Sequence, residues 1–396
     1  MRFALAGIAV QLCLAVMIIA TARDGVDAIG IQLGFDFMVY HEAARLALDG
    51  KLVAAFDPDV LVAALDKRIP GIAEGYFWLY PPTFAMLIVP LGLLPYGTAF
   101  WLWTVLGLSA YGAAAWRLSR DAVATLAAFG YTGVWVAAYH GQNSFFTAGL
   151  FMTALTALLN KRDVTAGVAI GLLAMKPHVA LIFPLVLAIC GRWRAFAAAA
   201  ATSLAFLGVS TFVMGPDYLA AFIAHTDNYG ALVAREVHWM TTPTAFMAMK
   251  LLGAPTGAAF AVHVVFAGSV VALTARRLTQ HGAVAPTLAM VAGAALTISP
   301  YVADYDLTIL AAAGLLLFAP RFADKEGPRV VANRDFFVVL AAAMIPVAIA
   351  AAGRLGVPIG WLAPAAAVGL AEWRLRSRSA IGHRGFEDAA AEAGRV

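Results

Sequence analysis

Long apolar runs punctuated by short clusters of Arg and Lys constrain this chain more than any other feature. The clusters are Arg2; Arg117 and Arg120; Lys161 and Arg162; Arg192 and Arg194; Arg276 and Arg277; Arg321 to Arg334; and Arg374 to Arg378. Cytoplasmic loops of membrane proteins carry such an excess of positive charge. If every cluster lies inside, each interval between neighbours crosses the bilayer an even number of times. Composition agrees: 62% of the 396 residues are apolar and only 13% charged, with mean hydropathy +0.82. A soluble domain carries about 25% charged residues. The expected fold is an all-α polytopic membrane protein, one integral domain over 1–396, with about 10–13 membrane helices including short re-entrant segments. The net charge of +4 is spent on orientation, so nucleic-acid binding is excluded. Cys13 and Cys190 both lie in apolar runs, and neither a disulfide framework nor a thiolate metal site is implied.

The parity rule places spans near 3–21 (read as an uncleaved signal-anchor), 97–117, 121–139, 143–160, 195–214, 257–275, 284–299, 306–319, 335–352 and 357–373, with a two-helix hairpin over 164–190. Segments 80–95 and 243–254 are short and proline-broken, and are read as re-entrant or interfacial. They echo each other: Pro82-Thr-Phe-Ala-Met86 against Pro243-Thr-Ala-Phe-Met-Ala-Met249, each followed by a proline (Pro95, Pro255) and a span ending in arginine. Both termini and a polar tail over 374–396 fall on the cytoplasmic side. The polar elements left over collect on the opposite face: a first external loop over 22–79, the turn 140–143, the hairpin tip 176–178, a second external loop over 215–242, and 299–306.

Within the first external loop, Gly34-Phe-Asp-Phe-Met-Val-Tyr-His-Glu-Ala-Ala-Arg-Leu-Ala-Leu-Asp-Gly50 reads as an amphipathic helix ending at the C′ glycine Gly50. Glu42, Arg45 and Asp49 share one face; Phe37, Tyr40, Ala44 and Leu48 share the other, so the helix is expected to lie flat on the membrane. Asp36 stands at its mouth, either as an N-cap or as a general base at a lipid–water boundary. Lys176, in Met175-Lys-Pro-His178, is a costly intramembrane cation suited to an anionic group such as a phosphate diester, or a snorkelling side chain. Pro177 frees carbonyls where backbone lines a cavity. His140, Gln142 and Asn143 make a polar cluster or an ordinary solvated turn. Arg235, Glu236, His238 and Trp239 lie in the second external loop, and Tyr80 precedes the paired prolines 81–82 that fix entry to the broken segment. Asp57-Pro-Asp59 and Asp304-Tyr-Asp306 have a spacing compatible with a divalent cation, but capping carboxylates suit 304–306 better, and no metal or organic cofactor is expected.

These residues also carry a likeness. Asp36-Phe-x-Val-Tyr-x-x-Ala-Ala-Arg45 with Gly50, Tyr80-Pro-Pro82 with Pro90-Leu-Gly-Leu-Leu-Pro95, Gly141-Gln142, Gly171 with Lys176-Pro177, and Ser299-Pro300 with Tyr305-Asp306 together resemble glycosyltransferase family 87, over roughly residues 30–310. The resemblance implies a GT-C fold in a bacterial inner membrane and a polyprenyl-phosphate sugar donor, typically of mannose. It also implies a lipid-linked or glycan acceptor, an active site facing away from the cytoplasm, and an essential aspartate at Asp36. Tyr301 and His178 stand where His and Gln are common in that family. The expected donor contacts are Lys176, His178, Arg45, Arg235, His238, Gln142, Asn143, Tyr80, Tyr305 and Asp306, with Asp36 deprotonating the acceptor. A transporter or lipid flippase is the rival reading, since broken half-segments also mark transport sites.

Overall fold

The structure, a computed structural model, describes residues 34–67, 76–226, 236–322 and 333–393, together with Gly230 and isolated positions before residue 22. The first expected span, Arg235 and the side chain of His238 lie outside the described residues. Among those described, the secondary structure is helical throughout, with no strand.

Two helices are long and apolar enough to cross a membrane by length and composition: α10 (Trp193–Met214) and α14 (Thr256–His281). A third candidate is a bent pair, α5 (Ala122–Phe129) and α6 (Thr132–His140), that turns by 52° at its break. Another long helix, α4 (Tyr96–Ser119), has 24 residues, about 36 Å of helix. Elsewhere the expected spans emerge as shorter apolar helices: α7 (Ser144–Leu159), α8 (Asp163–Leu172), α9 (Phe183–Ile189), α15 (Ala285–Ile298) and α16 (Leu310–Phe318). Proline, glycine and buried polar side chains divide them. The hairpin over 164–190 breaks at Lys176, flanked by 3-10 turns Leu173–Met175 and Pro177–Ala180.

The two echoing segments share a short helix and a following proline but differ in how the helix starts and ends. The first begins at Pro82 and runs on into a 3-10 turn over Val89–Leu93, whereas Thr244 caps the second from outside. Each is a seven-residue helix, α3 (Pro82–Ile88) and α13 (Ala245–Leu251). Each leads to a proline that caps the following long helix with nearly identical geometry, φ −57°, ψ 144° at Pro95 and φ −57°, ψ 146° at Pro255. The ring fixes φ there and removes an N–H that would have no partner in the first turn.

Close packing joins the layers. A Cβ on Gly167 would stand 2.4 Å from the carbonyl oxygen of Ala195, and one on Gly293 would stand 2.8 Å from that of Pro364. These glycines let α8 press on α10, and α15 on α18 (Leu362–Ala393). At the end of α14, Arg277 donates through Nε to Glu372 on α18 at 2.7 Å.

Helix α1 (Phe35–Leu48), expected in the first external loop, departs from its expected placement against lipid. Phe37 through Ala44 are all buried, including His41 and Glu42, whereas Leu48 is exposed. The helix is therefore embedded in the protein by its first two turns instead of lying flat on lipid. A cage of aromatic rings from Tyr80, Phe84, Tyr96, Phe100 and Trp103 surrounds Phe37 and Tyr40, burying apolar area at about 25 cal/mol per Å². The expected C′ glycine holds: Gly50 has φ +69°, and its N–H bonds the carbonyl of Ala47.

Candidate active site

Helix α1 begins two residues earlier than the sequence suggests, at Phe35 where residue 37 was expected. Its N-cap is Gly34, at φ +67°, with no side-chain cap. Asp36 thus sits inside the first turn and is not a cap, and its carboxylate is directed to tertiary partners. Two donors reach the same oxygen: His140 Nδ1 at 3.0 Å and Gln142 Nε2 at 2.9 Å from Asp36 Oδ2. A carboxylate only accepts, so Nδ1 of His140 carries the proton. Among the described residues Oδ1 receives no hydrogen bond, and the Asp36 side chain keeps 21% of its exposure.

Gln142 is held so that its amide cannot flip. Its Oε1 accepts from the Tyr40 hydroxyl and from the backbone N–H of Asn143 at 3.2 Å. Tyr40 donates to Gln142, so the 2.6 Å contact between the Tyr40 and Tyr80 hydroxyls has Tyr80 as donor. Every proton in the chain Tyr80–Tyr40–Gln142–Asp36 therefore points toward the carboxylate, and each bond polarises the next. Burial, reinforced by the charge of Asp36, raises the Tyr80 hydroxyl far above its usual range, keeping it a donor.

The turn that delivers Gln142 depends on Gly141, which has φ +69°; a Cβ there would lie 2.5 Å from Cβ of Phe37. Gly141→Ala is expected to lose stability through left-handed strain of roughly 1–2 kcal/mol and overpacking of roughly 1–3 kcal/mol. A thermal-unfolding midpoint unchanged from wild type would contradict this geometry.

Asn143, the next residue, faces the other way. Its Oδ1 accepts from Lys176 Nζ at 3.3 Å. Lys176 is 6% exposed, pairs with Asp306 Oδ1, and lies 4.7 Å from the centre of the Tyr305 ring. Asp306 Oδ2 accepts from the N–H of Ala303 at 3.1 Å and stands 3.6 Å from His178 Nε2. Adjacent residues of one turn thus bind Asp36 on one side and Lys176 on the other. The lysine does not snorkel: its charge is matched by a buried carboxylate.

Beside this network lies a cavity of about 360 Å³, lined among others by Pro81, Pro177, His178, Phe222, Pro300 and Tyr301. Three X–Pro turns converge on it, and its walls are mostly apolar. Among the described residues the Nε2 of His178 is buried without a hydrogen bond. Arg45, by contrast, is exposed in the last turn of α1, about 14 Å along the helix axis from Asp36, outside the network.

Of the two Asp-x-Asp pairs, one caps a helix through Asp57, whereas at 304–306 the N-cap is Ala303 and both carboxylates accept from local backbone N–H groups. Asp57 accepts from the N–H of Asp59 at 2.9 Å at the start of α2 (Pro58–Asp66), and Asp304 accepts from the N–H of Tyr305 at 2.8 Å. Burial lifts the Asp304 carboxyl to about 6, against the charge of His140, which lowers it. A raised carboxylate favours the folded state only while protonated, so its penalty grows as pH rises from about 4 to 6 and stays above that. Asp304→Asn should accordingly raise the unfolding temperature at pH 7.5 and leave it unchanged below pH 4. Equal shifts at both pH values would contradict the burial argument.

Sequence reasoning singled out Asp36, Gln142, Asn143, Lys176, His178, Tyr80, Tyr305 and Asp306, and the structure brings these together. It missed the part of Tyr40, which had been read as apolar-face packing, although a phenol four residues after Asp36 shares its helix face. His140 had been seen only as one of a polar cluster, with no tie to Asp36. Comparison with curated proteins returns no match, and no solved structure matches. The model of glycosyltransferase family 87 matches residues 78–300, which is more than half of the chain and spans the turn at 141–143, the Lys176 hairpin tip and the cavity wall at Pro300. The chain belongs to glycosyltransferase family 87.

Proposed function

We propose that this glycosyltransferase moves a hexose, in the first instance mannose, from a polyprenyl-phosphate carrier to a lipid-linked or glycan acceptor on the extracytoplasmic side of a bacterial inner membrane. The GT-C architecture and cytoplasmic termini belong to the same reading. One observation carries it: a carboxylate whose two donors both occupy Oδ2, leaving Oδ1 free to take a proton. In the proposed reaction Oδ1 of Asp36 removes the acceptor hydroxyl proton. The resulting oxygen attacks the anomeric carbon, and the sugar–phosphate bond breaks with its electron pair leaving on the carrier phosphate. A single displacement inverts the anomeric centre.

The cavity fits the carrier in chemical character, with apolar walls for isoprenoid and an imidazole edge at His178 for phosphate. His178 would touch the phosphate directly, and Lys176 would supply the positive charge behind it. Tyr301 and Tyr305 line the approach, and Gln142, Asn143, Tyr80 and Tyr40 position the base. Arg235 and His238 remain proposed donor contacts from the second external loop; Arg45, at the far end of α1, would meet only a distal part of a substrate.

Purified protein incubated with lipid acceptors should form glycolipid from polyprenyl-phosphate-mannose and none from a nucleotide-mannose, read by mass spectrometry. Turnover with the nucleotide sugar alone would overturn the donor assignment.

A further inference from the structure

Of the two donors that hold Asp36, Gln142 cannot change its charge and His140 can. We propose that His140 is a positioning residue that gates the reaction by its own protonation, setting how strongly Asp36 acts as a base; this rests on the reading of Asp36 as the base. The imidazole is fixed in place. Its ring lies 4.3 Å from that of Phe35 and 5.3 Å from that of Tyr305, and its Nδ1–H is committed to Asp36 Oδ2 at 3.0 Å. The charged groups acting on it come from two other elements: Asp36 on α1, and Asp304 in the 3-10 turn Asp304–Ile309.

Neutral His140 orients the carboxylate without opposing its basicity. A second proton, on Nε2, leaves the Nδ1–H bond intact but adds a full positive charge beside the base, which stabilises the anion and weakens its pull on the acceptor proton. No proton passes through His140 in this scheme; the proton leaving the acceptor goes to Asp36 Oδ1. Burial works against a second proton, but the hydrogen bond to Asp36 and the nearby charges of Asp304 and Asp36 outweigh it, so the site retains that proton more readily than a lone histidine would, and activity should climb with pH as it is lost.

Asparagine presents an amide N–H in nearly the position of Nδ1–H and cannot ionise, so it separates positioning from gating. Turnover of polyprenyl-phosphate-mannose would be measured from pH 5 to 8.5 for wild type, His140→Ala and His140→Asn. His140→Ala is expected to lose about 100-fold in kcat at pH 8, the scale of a base displaced by about 1 Å, with KM within about twofold, and to lose less below pH 7, where wild type is itself held back. His140→Asn should restore kcat at pH 8 to within about fivefold of wild type and flatten the profile below pH 7. A His140→Asn profile that climbs as steeply as wild type, or a loss confined to KM, would overturn the proposal.

A second measurement needs no donor. In detergent-purified protein, His140→Ala should lower the unfolding midpoint by about 2 °C, and by less than about 0.5 °C in an Asp36→Ala background, because the acceptor of its Nδ1–H is gone. Additive shifts would refute the contact itself, independently of whether the donor has been identified correctly.

Discussion

Asp36→Asn should reduce transfer by about 10³-fold or more while the protein is made, inserted and purified as wild type. General-base catalysis by a positioned side chain contributes about 10² to 10⁴-fold, and the amide cannot accept the acceptor proton. The variant is close to isosteric and keeps an oxygen for the two donors. His140 Nδ1 and Gln142 Nε2 can still be satisfied if the amide oxygen takes the place of Oδ2, so the helix start at Gly34 and the aromatic cage around Phe37 have no reason to move. Loss of rate without loss of fold is the signature, checked by initial rates alongside thermal unfolding. Turnover within about tenfold of wild type would remove Asp36 as the base.

The second large effect lies at the Lys176–Asp306 pair. The lysine is 6% exposed and the aspartate 1%; each is the other's permanently charged partner, with His178 Nε2 3.6 Å from the aspartate. Removing one member leaves a buried uncompensated charge, which costs about 3–5 kcal/mol. Lys176→Met alone should therefore give poorly folded protein with a markedly lowered unfolding midpoint. Combining it with Asp306→Asn should recover most of that loss, since the asparagine still accepts from the N–H of Ala303 and no orphan charge remains. The recovered double variant separates the pair's two tasks: it should fold and yet transfer sugar poorly, having lost the positive charge behind the departing phosphate. A double variant as unstable as the single would show that the pair does more than cancel charge. One with wild-type turnover would show that the site has no use for the cation.

How much of this was legible beforehand follows from the range of each interaction. Features set by neighbouring residues could be read directly: the helix end at Gly50, the prolines that start α4 and α14, the breaks at 80–95 and at Lys176, and the polar turn holding Gln142 and Asn143. Of the echo between the two broken segments, a short helix followed by an N-capping proline survives, but Pro82 and Thr83 lie within the first turn of α3 whereas Thr244 caps α13 from outside it. What could not be read depends on partners more than 100 residues apart. Asp36 has two such partners, His140 and Gln142, and they outcompete the local cap that the sequence suggested for it. Tyr40 carries a hydroxyl whose importance appears only when Gln142 arrives opposite it. Lys176 looked like a lone cation because Asp306 lies 130 positions downstream. The burial of Glu42 was equally hidden, since helical periodicity places it on a polar face and only tertiary packing covers that face.

The central claim is one carboxylate performing one displacement. The anomeric configuration of the product, determined by NMR after transfer from a β-linked polyprenyl-phosphate-mannose by purified protein, tests it most directly. The account predicts an α-linked product. A β-linked product, or a glycosyl group trapped covalently on the protein, would contradict it.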